Sequence, residues 1–285
     1  MRQFDQKFGA QFLAGVPLLP GIYRFFDRDG ELIYVGKAIR LRRRLQQYRN
    51  STRLRRHKKM RKILKEATRL EFEVCASHRE ACLLELDLIQ RLRPRLNVSG
   101  AYSFLYPMVG VSYDVGSSRL VLSLAGRAPE QSASAGSASC VRWHGCYRSR
   151  AWTREFFFSL VELLEFSAHR EPTRSVMSAP QGRERSVVRI GFRQVDRDWV
   201  EGLERLLRGE EAEEFLSRWI LQLVDNAGAR ARSAWVQDQI KIMTAFYRRE
   251  CLSLKRAREQ SDFHQYPVAR ELRDRIFLEA RLRLQ

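Results

Sequence analysis

Short β-rich runs and amphipathic segments alternate along the first hundred residues. Residues 21–27 and 31–37 are rich in β-branched and aromatic side chains, and the Asp29-Gly30 pair between them is typical of a tight turn. These features predict a β-hairpin. Residues 70–76 have a similar composition and predict a third strand.

Two further segments show helical spacing. Leu41, Leu45 and Tyr48 recur at i, i+4 and i+7, so residues 37–69 are predicted to form an amphipathic helical segment and not a disordered basic tail. The leucine-rich residues 79–92 predict another helix, which ends before a proline. The order strand, strand, helix, helix, strand, helix predicts an α/β fold: a small domain with a three-stranded, mainly antiparallel sheet flanked by helices.

The helical pattern breaks at Pro94 and Gly100, so we expect a first domain of residues 1–99 and a second of residues 100–285. The second domain is predicted to be mainly helical with a few strands. Its predicted strands span residues 106–113 and 119–124, and its predicted helices span residues 152–166, 199–207, 212–226, 230–258 and 267–284. Residues 127–139, RAPEQSASAGSAS, predict an exposed flexible loop.

Charge identifies the class of partner. The net charge is +19, and residues 1–100 alone contain 23 Lys and Arg against 10 Asp and Glu. Residues 37–69 contain 15 of these basic residues and a single acid, Glu66. A basic excess of this density favours a polyanion, and DNA is the first candidate. The candidate DNA-binding residues are Arg40, Arg42, Arg43, Arg53, Arg55, Arg56, Lys58, Lys59, Arg61 and Lys62.

Membrane and export signals are not apparent in the sequence. No stretch approaches about 18 consecutive apolar residues, and the N-terminus lacks the apolar core of a signal peptide. The five cysteines are odd in number and scattered, which fits neither a disulfide framework nor a zinc site. We therefore expect a cytoplasmic, nucleoid-associated protein that has no membrane partner and acts as a monomer.

One segment carries a recognisable nuclease motif. The text PGIYRFFDRDGELIYVGKAIRLRRRL contains Gly21-Ile22-Tyr23 and Tyr34-Val35-Gly36. Tyr34 is thus eleven positions after Tyr23, with ten residues in between. A lysine and a basic helix follow, and LLELDLIQRLRPRLN closes the domain. This combination resembles the GIY-YIG nuclease family, above all the N-terminal domain of UvrC and its Cho-type homologues. The resemblance covers residues 14–99 well, and beyond them only the layout of two segments is loosely similar to the middle region of UvrC.

The resemblance implies a set of site residues. The family's catalytic positions match Tyr23, Tyr34, Lys37, Arg44, Glu85 and Asn97. Glu85 would bind one Mg²⁺ or Mn²⁺, because these hard cations take oxygen ligands and keep several waters. Lys37, Arg44 and the metal would favour the phenolate of a tyrosine base, and Tyr23 is preferred to Tyr34 for that role.

Helix geometry supports Glu85 independently of the resemblance. Glu85 lies in line with Ala81, Leu88 and Leu92, whereas Asp87 faces another direction. A carboxylate on an apolar stripe needs a partner. That partner is either a metal ion or a basic group such as Arg91.

The other site residues have structural alternatives. Tyr23 and Tyr34 are either active-site groups or aromatic side chains of the strand core. Arg44 is either catalytic or one more phosphate contact, and Asn97 either belongs to the active site or caps a turn after the proline. The five histidines show no ligand spacing and are expected to be packing or surface residues.

The functional hypothesis is a metal-dependent, structure-specific DNA endonuclease that makes one incision, 3′ to a lesion, in nucleotide excision repair. The cysteine cluster, second nuclease domain and helix-hairpin-helix pair of full-length UvrC are not recognisable here, so no iron-sulfur cluster is expected. UvrB or another loader protein is only weakly indicated as a partner. Two alternatives remain: a restriction or mobile-element GIY-YIG nuclease, and a DNA-binding module with an idle nuclease centre.

Overall fold

The computed structural model describes residues 2–97, 101, 106–126, 141–172 and 187–284. These residues fall into two compact units, one within Met1–Ser103 and the other within Phe104–Arg283. The predicted boundary at residue 99 and the predicted loop 127–139 lie outside the described residues. Among the described residues, no helix combines the length and the apolar character that crossing a membrane requires.

The first unit is built on a three-stranded antiparallel sheet, as predicted. The strand order is β2-β1-β3, and the central strand pairs with both neighbours in antiparallel register. Its elements are α1 (Gln3–Phe8), β1 (Gly21–Phe26), β2 (Leu32–Ala38), α2 (Leu41–Arg49), α3 (Lys58–Glu66), β3 (Arg69–Val74) and α4 (His78–Leu92). The predicted order of strands and helices is confirmed, and α1 is an addition. Six residues are too few for helix α1 to show a periodic pattern in the sequence.

The hairpin between β1 and β2 has a local cause. A carboxylate oxygen of Asp27 accepts hydrogen bonds from the backbone N–H of Asp29 at 3.1 Å and of Glu31 at 3.0 Å. Gly30 adopts a φ of 80°, a conformation that glycine reaches without steric cost. The turn sets a register in which Tyr23 lies opposite Gly36.

The helices of the first unit bury one face each. In α2 the buried residues are Leu41, Leu45 and Tyr48, which are those that the helical spacing selected. Helix α4 starts at Ser77, whose hydroxyl accepts the N–H of Glu80 at 3.1 Å. On α4 the predicted apolar stripe ends one turn early, since Leu92 is 51% exposed at the last turn of the helix.

The second unit packs helices on a five-stranded antiparallel sheet of order β6-β4-β5-β8-β7. The strands are β4 (Met108–Asp114), β5 (Arg119–Ala125), β6 (Arg142–His144), β7 (His169–Arg170) and β8 (Val188–Arg193). Its helices are α5 (Arg150–Leu164), α6 (Arg197–Arg208), α7 (Glu213–Asp225), α8 (Ala227–Ala231), α9 (Ser233–Phe246), α10 (Leu252–Ser261) and α11 (Arg270–Arg283). The predicted class, mainly helical with a few strands, is confirmed.

Some boundaries of the second unit differ from the prediction. Strands β6, β7 and β8 are additions to the prediction. The first two have three and two residues and give no alternating pattern, whereas β8 does alternate, with Ile190 and Phe192 buried, and was overlooked. The single helix predicted for residues 230–258 is interrupted at Arg232 and passes through a π-helical turn, Tyr247–Cys251, before α10. Periodicity alone does not distinguish an α-helix from one that contains a π-turn.

Candidate active site

Three tyrosines converge on the inner face of the first unit. Tyr23 lies on β1, Tyr34 on β2 and Tyr48 on α2, and they are 1%, 8% and 1% exposed. The hydroxyl oxygens of Tyr23 and Tyr48 are 3.3 Å apart, and the ring centres of Tyr23 and Tyr34 are 6.2 Å apart. The rings therefore contribute to the core, while the hydroxyl groups of Tyr23 and Tyr48 meet at one point.

Gly36 makes room for Tyr23. A Cβ atom added at Gly36 would lie 2.4 Å from both Cζ and the hydroxyl oxygen of Tyr23. That separation is far below van der Waals contact, so any side chain at position 36 would displace the tyrosine. Position 36 of the motif must therefore be glycine, because the ring of Tyr23 lies directly against its backbone.

Arg44 binds the Tyr23 hydroxyl. Its Nε donates a hydrogen bond to the Tyr23 oxygen at 3.0 Å, and its Nη1 donates to Gln47 at 2.6 Å. Although burial opposes the charge, the tyrosines around it raise the pKa of the Arg44 guanidinium, with Tyr23 contributing most. A cation that donates to a phenol oxygen stabilises negative charge on that oxygen.

Tyr34 and Tyr48 are held in their neutral forms. Burial raises the pKa of the Tyr34 hydroxyl, and Tyr23 and Glu85 add to this effect. Burial also raises the pKa of Tyr48. Both hydroxyls therefore remain protonated at neutral pH and can donate hydrogen bonds. The Lys59 ammonium lies 4.9 Å from the centre of the Tyr34 ring, and burial lowers the pKa of this lysine.

Glu85 lies near the middle of α4 and binds Lys37. The two side chains form an ion pair, and the backbone N–H of Lys37 donates to Oε1 of Glu85 at 3.2 Å. The side chain of Glu85 is 15% exposed and that of Lys37 is 36% exposed. The alternative of a basic partner is therefore met by Lys37 and not by Arg91, which faces Asp87 at 3.9 Å.

Asn97 supports the strand that carries the motif. Its side-chain oxygen accepts the N–H of Val35 at 2.9 Å, and its side-chain nitrogen donates to the Val35 carbonyl at 2.9 Å. Asn97 is 6% exposed, and its own N–H closes a turn with the carbonyl of Pro94 at 2.8 Å. Because Val35 stands between Tyr34 and Gly36, Asn97 acts in this structure as a positioning residue for β2.

The donor set around Glu85 fits a hard divalent cation. Its ligand atoms are the two oxygens of one carboxylate, which is partly open to solvent. Within the described ranges, no group of three or more His, Cys, Asp and Glu could hold a metal ion. A single carboxylate suits Mg²⁺ or Mn²⁺, which keep waters and share a substrate phosphate, and does not suit zinc, which takes three or four protein ligands.

The predicted DNA-binding residues divide into two groups. Arg42 and Arg61 are half-buried and bind backbone carbonyls: Arg42 donates to Val16 at 2.6 Å, and Arg61 donates to Thr52 at 2.5 Å. These two arginines therefore support neighbouring loops. The exposed members are Arg40, Arg43, Arg53, Arg55, Arg56, Lys58, Lys59 and Lys62.

Sequence reasoning missed the hydroxyl of Tyr48. The spacing of α2 assigned Tyr48 to the core, and its ring is indeed buried. The same spacing placed it on the face that carries Leu41 and Leu45, which packs on the sheet that holds Tyr23. A hydroxyl on a buried face needs a hydrogen-bond partner, and this requirement could have predicted that the Tyr48 hydroxyl contacts a polar group of the site.

The residues that form this site lie within a segment that matches a known domain family. Residues 19–98 match the family model of the UvrC-like GIY-YIG domain. This match confirms the resemblance predicted from the motif, and it covers the residues described above from Tyr23 to Asn97.

Individual relatives carry a more specific name. The chain is 41% identical over 99 residues to the UvrABC system protein C of Pseudothermotoga lettingae, which is 35% of this chain and 18% of that protein. It is 34% identical over 174 residues to the UvrABC system protein C of Corynebacterium diphtheriae, which is 61% of this chain and 23% of that protein. The chain thus matches about a fifth of the length of these relatives.

A solved structure also matches part of the chain. The GIY-YIG N-terminal endonuclease domain of UvrC from Thermotoga maritima, bound to magnesium, is 37% identical, with 34% of this chain and 99% of that chain covered and a TM-score of 0.29.

Proposed function

We propose that this protein is a metal-dependent, structure-specific DNA endonuclease that hydrolyses one phosphodiester bond at the site formed by Tyr23, Arg44 and Glu85. The observation that carries the proposal is the bond from the Arg44 guanidinium to the Tyr23 hydroxyl, in the same domain as a half-buried carboxylate, Glu85, that is ion-paired with Lys37. Support also comes from the match of residues 19–98 to the UvrC-like GIY-YIG domain.

The chain's own residues divide the chemical work. Tyr23, as a phenolate stabilised by Arg44, accepts a proton from the attacking water. As the new bond from phosphorus to the water oxygen forms, the bond from phosphorus to one sugar oxygen breaks, and that sugar oxygen takes a proton from solvent. The hydrogen bond from Arg44 favours Tyr23 as the base. Tyr34, whose pKa burial raises, serves as a hydrogen-bond donor. Lys37 and Arg44 supply positive charge against the phosphate oxygens.

Glu85 would hold one Mg²⁺ or Mn²⁺. When bound, the ion supplies a Lewis acid for the charge that develops on the phosphate. Lys37 neutralises the carboxylate when no ion is present. Asn97 acts on the reaction indirectly, by fixing the backbone between Tyr34 and Gly36.

The biological setting is also a proposal. The protein makes a single cut on the 3′ side of a lesion in nucleotide excision repair, as a monomer acting on nucleoid DNA in the cytoplasm. UvrB or another loader protein would deliver it. The support is the name of its relatives, UvrABC system protein C. We also predict that the purified protein contains no stoichiometric iron and sulfide, and direct analysis of both elements checks this.

A defined DNA substrate tests the proposal. A duplex with one fluorescein-modified thymidine is labelled at either end and incubated with Mg²⁺, with and without UvrA and UvrB. We expect one nick in the modified strand, 3′ to the modification, and no nick in the presence of EDTA. Binding without cutting under every condition would favour the idle module, and cutting at one preferred sequence in unmodified DNA would favour a restriction nuclease.

A further inference from the structure

Three large apolar side chains protrude from the basic first unit. Leu18 and Leu19 are each 52% exposed, and Ile39 is 63% exposed. Leu18 and Leu19 precede β1, and Ile39 follows β2, so all three lie at the end of the hairpin where Gly21 pairs with Ala38. We call these three residues the apolar tip.

Hydrogen bonds hold the backbone of the apolar tip. The carbonyl of Leu19 accepts the N–H of Leu41 at 3.0 Å, and the carbonyl of Pro17 accepts the N–H of Arg42 at 3.1 Å. On the opposite side the carbonyl of Pro20 accepts the N–H of Cys75 at 2.9 Å. The tip is thus tied to α2 and to the end of β3. Because the backbone is ordered in advance, binding through the tip would cost little conformational entropy.

The apolar tip lies beside the candidate active site. Ile39 is two residues beyond Lys37, at a bend that follows β2, so their Cα atoms lie within about 7 Å of each other, the span of two extended residues. Lys37 contacts the carboxylate of Glu85. Successive nucleotides of one DNA strand rise by about 3.4 Å, so this distance corresponds to about two base steps.

Charge around the apolar tip matches DNA. Arg40 and Arg43 follow Ile39 along the chain, and both are exposed. These cations favour phosphates, whereas exposed leucine and isoleucine favour the sugar edges and base faces that line a groove. A surface that combines both properties fits a duplex whose bases are partly accessible.

We propose that the apolar tip is a wedge that enters the groove and unstacks a base step about two or three nucleotides from the cut. The inference rests on the proposed nuclease function and adds a substrate class to it: duplexes that deform readily at this step. Unstacking costs a few kcal/mol in regular DNA and less where a lesion or mismatch has already weakened the stack. The wedge would therefore select distorted DNA without reading its sequence.

Fluorescence of 2-aminopurine, which rises when the base unstacks, tests the wedge. The cut is first mapped on the fluorescein-modified duplex in Mg²⁺, with UvrA and UvrB if they are needed. Single 2-aminopurines are then placed one to six nucleotides on either side, and the protein is added in EDTA to prevent cutting. We expect a rise of about twofold or more at the second or third position only.

Two variants distinguish the wedge from a general surface effect. The variant Leu18→Ser/Leu19→Ser/Ile39→Ser should lose the signal and bind DNA about tenfold more weakly, with an unchanged melting temperature. Leu92→Ser changes an equally exposed leucine, 51%, at the end of α4 and should behave as the parent.

The outcomes separate the two proposals. If the parent cuts but no position brightens, or if the triple-serine variant brightens the same position, the wedge is wrong and the nuclease stands. Self-association of the parent that the triple-serine variant abolishes, without any change in the DNA signals, would make the tip a protein interface and also overturn the wedge. If the parent neither binds nor cuts DNA, both proposals fail.

Discussion

Two glutamates, one in each unit, show how a carboxylate is used in this protein. Glu250 in the π-turn of the second unit accepts the N–H groups of Arg148 at 2.8 Å and Ser149 at 3.2 Å, and it lies 3.5 Å from a guanidinium nitrogen of Arg273. Glu85 in the first unit binds the ammonium and the backbone N–H of Lys37, whose side chain is 36% exposed.

The two glutamates differ in whether their basic partner can leave and be replaced by another cation. Arg273 is 4% exposed and also donates to the carbonyl of Cys146 at 3.1 Å, so it cannot leave Glu250 without stranding a buried charge. The ammonium of Lys37 can turn toward solvent at little cost. A buried carboxylate with fixed donors is therefore structural, whereas one with a single half-exposed partner can exchange that partner for a metal ion.

The largest expected effect is on cleavage. Glu85→Gln keeps the shape of the side chain but removes the charge that would hold the ion, so we expect cleavage to fall about 10²- to 10³-fold. DNA affinity should be retained or rise slightly, because a carboxylate no longer repels phosphates. The measurement is single-turnover nicking with DNA binding on the same preparation. Asp87→Asn, on a side chain that is 63% exposed, is the matched control and should cut as the parent does.

The corresponding change in the second unit should affect stability. Glu250→Gln removes the charged acceptor of two backbone N–H groups and one of the two carboxylates near Arg273, the other being Asp274 at 3.7 Å. We expect the free energy of unfolding to fall by about 2 kcal/mol. Nicking per folded molecule should be unchanged. Urea unfolding measures the first quantity, with Glu259→Gln on a 61% exposed side chain as the control. Equal stability of parent and Glu250→Gln would contradict the structural role.

Asn97 should combine a smaller loss of stability with a loss of cleavage. Asn97→Ala leaves the N–H and carbonyl of Val35 without their side-chain partners, at a cost of about 2 kcal/mol. Cleavage should fall as well, because β2 positions Tyr34 and Gly36, whereas DNA affinity should not change. Unfolding and single-turnover nicking together test this. Cleavage at the parental rate in the folded variant would show that the two hydrogen bonds from Asn97 to Val35 on β2 do not affect catalysis.

Alkaline pH should destabilise the first unit through its buried tyrosines. The folded-state pKa values of Tyr34 and Tyr48 are raised by burial, so the unfolded chain loses these protons first, above about pH 10. Stability is complete below that pH and falls as pH rises through it, by about 1.4 kcal/mol per pH unit for each group. Tyr48→Phe should remove one such contribution. Urea unfolding between pH 8 and pH 11 measures the slope, and an unchanged slope would count against the burial argument.

The smallest effect separates two adjacent arginines. Arg43→Ala removes an exposed cation, and the slope of log affinity for duplex DNA against log salt should become shallower by about 0.9. Arg42→Ala should instead reduce stability by about 1 kcal/mol, because Arg42 donates to the carbonyls of Val16 and Ala14. DNA binding across a salt series, together with melting curves, separates them. If Arg42→Ala changed the salt dependence and Arg43→Ala reduced stability, Arg42 and not Arg43 would be the residue that faces DNA.

The same pair shows what sequence could predict. Spacing along α2 correctly identified its buried face, and helix geometry placed Glu85 apart from Asp87. The sequence could not distinguish the structural role of Arg42 from the exposed position of Arg43, because the partners of Arg42 lie in a loop that is distant in sequence. The sequence also could not predict the hydrogen bonds between Asn97 and Val35, which are 62 positions apart. The short strands β6 and β7 were missed because the sheet, and not their own pattern, defines them.

Metal binding tests the central claim most directly. Titration of the DNA-free protein with Mn²⁺, followed by electron paramagnetic resonance of the remaining aqueous ion, counts the bound ions without requiring any cleavage. The account predicts one Mn²⁺ per chain for the parent and for Asp87→Asn, and none for Glu85→Gln in the same concentration range. If Glu85→Gln binds Mn²⁺ with the affinity and stoichiometry of the parent, the carboxylate of Glu85 is not the metal ligand, and the one-metal site proposed for this protein is wrong.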